Sequence, residues 1–343
     1  MLVVRPVKKE DLDRLYELSG KVTVGLTTFP HDRKILTQRL KKAALSFAEK
    51  PQKPGGEIYM FVLEDLSKKK LVGTSAIFSK VGGYEPSYTY RIETLTKKSK
   101  ALKMTKTIQY LRLVRDYNGP TEIGTLFLDP QYRRSGNGRL LSLSRFLFMA
   151  QYRSCFENTV MVEIRGIIDK EGHSPFWEAV GKHFFDIEFG KADLMVMKDK
   201  SFIEDLMPEH PIYIPLLPKE AQEVIGKVHP DTQPAVHLLE NEGFVFNNEI
   251  DIFEAGPTLT AKVNHIRTVK ESQEARLIRI DPALKDEENF LIAKVDKFND
   301  FRVTLGDIKI LSKTQVELST DVAERLKAKS GSKIRFAPLR SGK

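Results

Sequence analysis

The sequence predicts an α/β protein of the α+β kind, with a mixed, mainly antiparallel central sheet flanked by helices and a small β-rich C-terminal appendage. Two observations carry this prediction. Apolar runs of strand length and segments of helical periodicity follow one another up to about residue 268. After about residue 269 the chain changes to short β-type runs separated by turns. A chain of 343 residues has room for about two to three domains.

The composition is that of a globular protein kept in a reducing compartment. Hydrophobic residues make up 41% and aromatic residues 9% of the chain, which is enough for substantial cores. No apolar run approaches the roughly 20 residues of a membrane span, and the first residues read as a strand rather than as a signal peptide. Cys155 is the single cysteine, so an internal disulfide cannot form. We expect a cytoplasmic protein.

The formal net charge of +9 is compatible with nucleic acid, a membrane surface or a small anionic ligand as partner. The basic residues are interleaved with acidic ones, and the sequence contains no zinc-finger spacing, aromatic RNA-binding motif or basic amphipathic helix. The charge therefore predicts no nucleic-acid partner and no membrane contact. It favours a small anionic ligand.

The N-terminal part of the chain alternates strands and helices. Predicted strands cover Leu2–Val7, Ile58–Asp65, Leu71–Phe78, Tyr88–Leu95 and Ile108–Val114. Helical periodicity covers Lys9–Leu18 and Asp32–Lys50, while Gly25–Pro30 and Pro51–Gly56 read as loops.

The central feature is a strand, a glycine-rich loop and a helix in direct succession. The strand is Ile123–Leu128, a turn follows at Asp129, and the helix covers Arg139–Ala150. The loop between them, Arg133–Gly138, has the pattern R-x-x-G-x-G. Glycines let a ligand approach the backbone, and the unpaired N–H groups of a first helical turn attract anions. A pyrophosphate fits this arrangement; the alternative is a plain turn whose glycines serve tight packing.

The second half of the chain combines shorter elements. Strands are predicted at Val160–Ile168 and from Phe244 to Phe253, and helices at Ser174–Phe184, Lys219–Lys227 and Ala235–Gly243. Ser201–Pro218 and Val228–Pro234 read as loops. In the tail, strands are predicted at Leu277–Ile280, Phe290–Val295, Phe301–Val303, Ile308–Leu311 and Lys333–Phe336, and a helix at Asp321–Lys329.

Two charged residues stand out in the apolar Val160–Ile168 run. Glu163 and Arg165 are costly to bury there unless they pair or contact a ligand. A solvated edge or a mutual structural pair is the alternative interpretation. Cys155 has no activating partner in the sequence and is not expected to act as a nucleophile.

The strand, loop and helix around Gly136 resemble the acyl-CoA-binding signature of the GNAT superfamily of N-acetyltransferases. In that superfamily the R/Q-x-x-G-x-G/A loop holds the pyrophosphate of coenzyme A. The resemblance implies a GNAT-like fold, with Arg133, Arg134, Ser135, Gly136, Asn137 and Gly138 as cofactor-binding residues. The helix, glycine and strand around Gly243 resemble the unit that closes a GNAT domain, and the helix at Ser174 followed by a strand would repeat this plan in a second GNAT-like half.

Several further blocks resemble the bacterial arginine N-succinyltransferase family over about residues 2–267. They are Gly25–Pro30, Thr125–Pro130, Gly136–Gly138, Glu163–Gly166, Ser174–Trp177, His210–Tyr213, Val228–Pro230, Ile250–Phe253 and Gly256–Thr258. The resemblance implies transfer of a succinyl group from succinyl-CoA to the α-amino group of L-arginine in arginine catabolism. It also implies that His229 is the proton donor and that Leu126 contacts succinyl-CoA. Without the resemblance, one histidine before a proline would be read as structural.

The implied chemistry is direct attack of the amine on the thioester in a ternary complex. A side chain that titrates near neutrality, such as His229, suits the proton transfers. The backbone of Leu126, Phe127 and Leu128 is expected to polarise the thioester carbonyl. The substrate carboxylates need cations and the guanidinium needs an acid, for which the candidates are Arg91, Glu163 and Arg165.

The sequence predicts three domains and leaves two alternative functions open. We predict an acyl-CoA-binding domain at 1–200, a second GNAT-like segment with the catalytic histidine at 201–268 and a β-rich domain at 269–343. No metal or permanently bound cofactor is expected, and both a homo-oligomer and a hetero-oligomer with a related chain are compatible with the family. The rivals are an acyltransferase for ornithine or another amine, and a non-catalytic coenzyme A-binding protein.

Overall fold

The strands of the protein are numbered along the chain. A computed structural model describes residues 1–22, 26, 28–196, 199–285 and 287–340, apart from the side chains of residues 84 and 85. The strands are β1 (Leu2–Pro6), β2 (Ile58–Asp65), β3 (Lys70–Phe78), β4 (Gly82–Ser99), β5 (Met104–Asn118), β6 (Thr121–Leu128), β7 (Thr159–Glu163), β8 (Ile212–Tyr213), β9 (Val245–Ile250), β10 (Pro257–Lys262), β11 (Gln273–Ile280), β12 (Phe290–Lys294), β13 (Arg302–Gly306), β14 (Ile308–Ser312), β15 (Gln315–Leu318) and β16 (Lys333–Pro338).

Helices flank the strands and connect them. They are α1 (Leu12–Ser19), α2 (Arg33–Ala48), α3 (Asn137–Gln151), α4 (Pro175–Ala179), α5 (Lys182–Phe185), α6 (Phe189–Val196), α7 (Ser201–Leu206), α8 (Lys219–Val224), α9 (Gln233–Asn241), α10 (Arg267–Glu271) and α11 (Thr320–Leu326). Of the helices in the described ranges, none has both the length and the apolarity that crossing a bilayer requires.

The strands form one continuous sheet. In the described residues it has sixteen strands in the order β14-β15-β11-β16-β12-β13-β1-β2-β3-β6-β7-β10-β9-β4-β5-β8. Its pairings are antiparallel except for β6 with β7 and β11 with β15, which are parallel. The predicted fold class, a mixed and mainly antiparallel sheet flanked by helices, is confirmed.

The C-terminal segment joins this sheet at β1. Val303 of β13 pairs with Val4 of β1, and the hydroxyl of Thr304 donates to the carbonyl of Leu2 at 2.8 Å. Apolar residues of β12 and β13 belong to the same core cluster as α3. The sheet and the core therefore run without a break from the N-terminal strand into the tail, although the three-part domain division itself stays a prediction.

Different helices cover the two faces of the central strands. Helices α1 and α2 pack against one face of β2 and β3, in a cluster that includes Leu36, Leu40 and Met60. Helix α3 packs on the other face, where eleven of its residues are buried. A second group, α4 to α8, forms its own core around Trp177 with β4 and β5. Trp177 is completely buried in this core.

Three local predictions are wrong. The strand predicted at Val160–Ile168 ends at Glu163, so Arg165 lies beyond it. The helix predicted at Ser174–Phe184 consists of α4 and α5, and the next element is α6 and not a strand, which removes the repeated helix–strand plan. The predicted loop at Ser201–Pro218 contains α7 and β8. In the predicted Gly25–Pro30 loop, Gly25 and Thr27 lie outside the described residues.

Two glycines explain why β7 ends early. A Cβ at Gly166 would lie 2.3 Å from the carbonyl oxygen of Glu254, and a Cβ at Gly256 would lie 2.0 Å from the carbonyl oxygen of Ile164. The backbone after β7 is therefore packed directly on the backbone before β10, at a distance that only glycine permits. This contact fixes the segment that carries Arg165.

Replacing Gly256 with alanine is expected to lower the free energy of unfolding by about 3 kcal/mol, because the methyl group must displace backbone on the facing segment. Denaturant unfolding measures the change. Gly190→Ala is the matched control, since a Cβ there meets no atom within 4 Å. Equal stability of Gly256→Ala and the parent protein would contradict the close packing of the two segments.

Candidate active site

Asp129 anchors the loop between β6 and α3. Its carboxylate accepts hydrogen bonds from Lys21 Nζ at 2.6 Å and from the backbone N–H of Gln131 at 3.3 Å. Burial alone would raise the pKa of Asp129, but these hydrogen bonds and the nearby Arg14 outweigh it and lower the pKa. The start of the loop is therefore held by an ionised, nearly buried side chain.

The loop presents free backbone donors where α3 begins. Ser135 and Gly136 adopt left-handed conformations with φ of 52° and 75°. Within the described part of the chain, the N–H groups of Ser135, Gly136, Gly138 and Arg139 have no hydrogen-bond acceptor. Four such donors at a helix N-terminus are suited to an anion. A Cβ at Gly138 would meet no atom within 4 Å, so the space in front of these donors is open.

One side chain of the loop stabilises its conformation, and two others are exposed to solvent. Asn137 is turned inward, where its side-chain amide donates to the Tyr132 carbonyl at 2.9 Å and closes the loop. Arg133 and Arg134 are exposed. Leu305 of β13 lies 3.4 Å from the position of a Cβ on Gly136, so the C-terminal segment supports the loop from behind.

Strands β6 and β7 diverge beside this loop. They are paired at Thr121–Val160 and Glu122–Met161, after which β6 continues along β3 and β7 along β10. A gap therefore opens between two parallel strands in the middle of the sheet. Backbone groups that face such a gap are available to a ligand.

The end of β6 lines the gap with backbone groups. The backbone N–H of Asp129 donates to the Val72 carbonyl of β3 at 2.8 Å. Backbone groups of successive strand residues point to alternate sides, so those of Phe127 also face β3, while those of Leu126 and Leu128 face the gap. Arg133 Nε donates to the Leu128 carbonyl at 3.0 Å, which agrees with this direction. Among the described residues, the two terminal nitrogens of that guanidinium have no hydrogen-bond acceptor.

A β-bulge at Thr125 shapes the same strand. The pairing of β6 with β3 shifts between Thr74 and Ala76, and Thr125 has a φ of 55°. A β-branched residue rarely adopts this conformation. It is held by Thr28, whose hydroxyl accepts the Thr125 N–H at 3.0 Å and whose carbonyl accepts the Thr125 hydroxyl at 3.2 Å. Strain maintained in this way is typical of binding sites.

His229 lies against the segment that follows β7. Its N–H donates to the Arg165 carbonyl at 2.9 Å, and its Nδ1 accepts the Asp231 N–H at 3.2 Å. The latter bond assigns the proton of the neutral ring to Nε2. The side chain is 16% exposed. Burial and then Arg165 lower the pKa of His229, while Asp231 opposes the change, so the neutral ring is favoured at pH 7.

Glu163 lies with Glu122 and Thr258 on one face of the sheet. Glu163 pairs with Thr258, and Glu122 pairs with Met161, two residues before Glu163. Directly paired residues share a face, and so do alternate residues of a strand. Glu122 also pairs with Phe78, which packs with α1 and α2, so this is the face that those helices cover.

The carboxylates on this face repel one another. The pKa of Glu163 is raised to about 8 by burial and by the charges of Glu122 and Asp251, with Lys200 opposing. Burial also raises the pKa of Glu122, which Lys200 and Arg39 oppose, and burial raises that of Asp251. Part of the Glu163 side chain is nevertheless open to solvent. These groups therefore form an accessible site that favours a cation.

Arg165 lies at the border between this site and His229. Burial lowers the pKa of Arg165, which the nearby Glu254, Asp231 and Asp193 oppose. Burial raises the pKa of Asp193 to about 7 and that of Glu254 well above its usual value. The sequence candidates Glu163, Arg165 and His229 are thus brought together by the structure.

Arg91 is placed differently. It donates to Glu249 on the adjacent strand β9 at 2.6 Å and 3.0 Å, and about half of its side chain is exposed. The described contacts of Arg91 are those of a cross-strand ion pair with Glu249. The role of Arg91 in substrate binding stays a prediction.

Sequence reasoning missed two acidic members of the site. Asp251 lies between Ile250 and Ile252, so it carries the same signal, a charge in an apolar run, that identified Glu163. Glu122 precedes the apolar end of β6 and becomes part of the site only through the pairing of β6 with β7.

Comparison with known proteins shows the family to which the chain belongs. The family model described as arginine N-succinyltransferase beta subunit matches residues 2–268. The chain is 42% identical to the arginine N-succinyltransferase of Yersinia pestis (strain Pestoides F), covering 99% of this chain and 98% of the relative. It is 40% identical to that of Escherichia coli (strain 55989 / EAEC), with coverage of 99% and 98%.

A solved structure shares the fold over nearly the whole length. The arginine/ornithine succinyltransferase subunit AI of Pseudomonas aeruginosa superposes with a TM-score of 0.89 at 35% sequence identity, covering 99% of both chains. Family model, sequence relatives and fold agree. The chain belongs to the arginine N-succinyltransferase family.

Proposed function

We propose that this protein transfers the succinyl group of succinyl-CoA to the α-amino group of L-arginine and yields N2-succinyl-L-arginine and coenzyme A. The observation that carries the proposal is the full-length similarity to arginine N-succinyltransferases, at 40–42% identity. The reaction is the first step of arginine breakdown by succinylation, as the family resemblance implies.

In this proposal succinyl-CoA lies across the end of β6. Its pyrophosphate accepts hydrogen bonds from the backbone donors of Ser135, Gly136, Gly138 and Arg139, and the exposed Arg133 and Arg134 add positive charge. Its acyl-pantetheine part enters the gap between β6 and β7. There the backbone N–H groups of Leu126 and Leu128 are directed at the thioester, where they stabilise negative charge on the carbonyl oxygen.

The amine attacks the thioester carbon, the C–N bond forms and the C–S bond breaks. The attacking nitrogen must lose a proton and the leaving sulfur must gain one. A neutral His229 with its proton on Nε2 donates to the sulfur, and the proton released by the amine restores the ring. Because the amine attacks the thioester directly, the reaction needs no covalent acyl-enzyme. Cys155 is buried and does not serve as a nucleophile in this proposal.

A second acceptor is favoured by one observation. The Pseudomonas aeruginosa relative is described as an arginine/ornithine succinyltransferase subunit. Ornithine, which has an ammonium group in place of the guanidinium, is therefore the alternative substrate. The same description, and the beta subunit named by the family model, favour an oligomer of identical or related chains.

Thiol release from succinyl-CoA tests the proposal. With arginine, ornithine, lysine or no amine added, arginine is expected to give the highest kcat/KM. Preference for ornithine would move the function to the alternative acceptor. Release that does not depend on any amine, or no release at all, would contradict transfer to an amino acid and favour a non-catalytic coenzyme A-binding protein.

A further inference from the structure

Among the described residues, the carboxylates on this face of the sheet outnumber the nearby cations. Glu122 and Glu163 lie on the same face, and Asp251 is close enough to raise the pKa of Glu163. The nearby cations Lys200 and Arg39 leave the pKa of both glutamates raised. Carboxyl groups whose pKa is raised in this way are stabilised in their charged form by an added cation.

Two buried polar atoms, one on β10 and one just before it in the chain, lack hydrogen-bond partners among the described residues. Thr258 is 1% exposed, and its hydroxyl oxygen has no hydrogen-bond partner in the described structure although it lies opposite Glu163. Glu254 is 8% exposed; its Oε1 accepts the Gly166 N–H at 2.8 Å, while its Oε2 is unpartnered among the described residues. Buried polar atoms are normally satisfied by a hydrogen bond, so unpartnered ones at a site are available to a ligand.

The chemistry of the missing ligand is that of an organic cation. No group of three acidic, histidine or cysteine side chains within the described ranges is arranged to hold a metal ion. Carboxylates on neighbouring strands with a hydroxyl beside them suit a planar group that has several N–H donors. A guanidinium has five such donors and a permanent positive charge.

We propose that Glu122 and Glu163, with the hydroxyl of Thr258, bind the guanidinium of the amino-acid acceptor and set its preference for arginine. The inference rests on the proposed function, because it concerns the acceptor of that reaction. This site, called the guanidinium pocket from here on, adjoins His229, because Arg165 follows Glu163 by two positions and its carbonyl accepts the backbone N–H of His229. The far end of the acceptor is therefore held on the sheet face while its amino group reaches His229.

The test compares arginine with citrulline, whose neutral urea group has nearly the shape of a guanidinium. For the parent protein we expect kcat/KM for arginine to exceed that for citrulline by at least about 100-fold. In Glu163→Gln and in Glu122→Gln this ratio is expected to fall about 10-fold or more, because a charge-assisted hydrogen bond is lost. The KM for succinyl-CoA stays unchanged. Glu240→Gln, on the exposed side of α9, is the matched control and retains the ratio.

A third variant keeps the inference testable if the two glutamine variants fail to fold. Thr258→Val removes a hydroxyl that has no partner in the described structure, so the stability of the protein is not expected to fall. Calorimetry with the coenzyme A-bound protein should nevertheless show about 10-fold weaker binding of arginine, because its N–H groups lose the hydroxyl as an acceptor.

The possible results distinguish a failure of the guanidinium pocket from a failure of the proposed succinyl transfer. If the parent protein uses arginine but Glu163→Gln and Glu122→Gln keep the arginine-to-citrulline ratio and Thr258→Val binds arginine as tightly as before, the pocket is wrong and the function stands. An equal loss of kcat for both acceptors would likewise overturn the pocket, because it would indicate a role in proton transfer. If the parent protein shows no arginine-dependent thiol release, the proposed function itself fails.

Discussion

Replacing His229 with alanine is expected to lower kcat about 10²- to 10⁴-fold, the usual contribution of a positioned acid–base group, while succinyl-CoA binds as before. The reason is geometric. The ring is held by the Asp231 N–H on one nitrogen, which leaves the other nitrogen for the reacting groups. Steady-state kinetics gives kcat, and calorimetry with coenzyme A gives the affinity.

The loss must be separated from a loss of structure, because His229 also caps the turn at Pro230–Thr232. His229→Asn retains a side-chain acceptor for the Asp231 N–H but cannot exchange a proton near neutrality. It should fold like the parent protein and be as inactive as His229→Ala. His237→Ala, on the exposed surface of α9, should retain full activity. Turnover by His229→Asn at the parent rate would refute the assigned role.

Replacing Gly138 with alanine is expected to weaken the binding of succinyl-CoA about 10- to 100-fold without lowering the stability of the protein. A methyl group there meets no atom of the chain within 4 Å, and alanine is the better helix former. It would instead project into the open space in front of the backbone donors of the loop, where the pyrophosphate is proposed to lie. Calorimetry with coenzyme A measures the change.

Succinyl-pantetheine provides the matched ligand control, because it has the thioester but no pyrophosphate. Its KM should be the same for Gly138→Ala and for the parent protein. Equal affinity of the two proteins for succinyl-CoA would mean that the pyrophosphate does not contact Gly138. A loss of affinity for succinyl-pantetheine as well would point to a general distortion of β6 and the loop.

Local signals explain what was predictable. The loop at Gly136 and its flanking strand and helix were found because glycines, apolar alternation and helical periodicity are all read within about 30 residues of sequence. The helix start predicted at Ser174 is local in the same way, since the Ser174 hydroxyl caps the helix by accepting the Trp177 N–H at 3.2 Å. Glu163 was found because a charge in an apolar run is rare.

Long-range pairing explains what was missed. Glu122 and Thr258 join Glu163 through strands that are distant in sequence, and no local pattern sets that register. The early end of β7 depends on the contact of Gly166 with Gly256, 90 positions later in the sequence. The bulge at Thr125 depends on hydrogen bonds with Thr28, which lies in the segment between α1 and α2. Tertiary contacts decide such features, and propensity does not.

The most direct test of the central claim is a crystal structure of the protein with coenzyme A. We expect the pyrophosphate oxygens to accept hydrogen bonds from the backbone of Ser135, Gly136, Gly138 and Arg139, and the thiol to lie in the gap between β6 and β7 within reach of His229. A pyrophosphate bound elsewhere, with the loop before α3 free of ligand, would contradict the account.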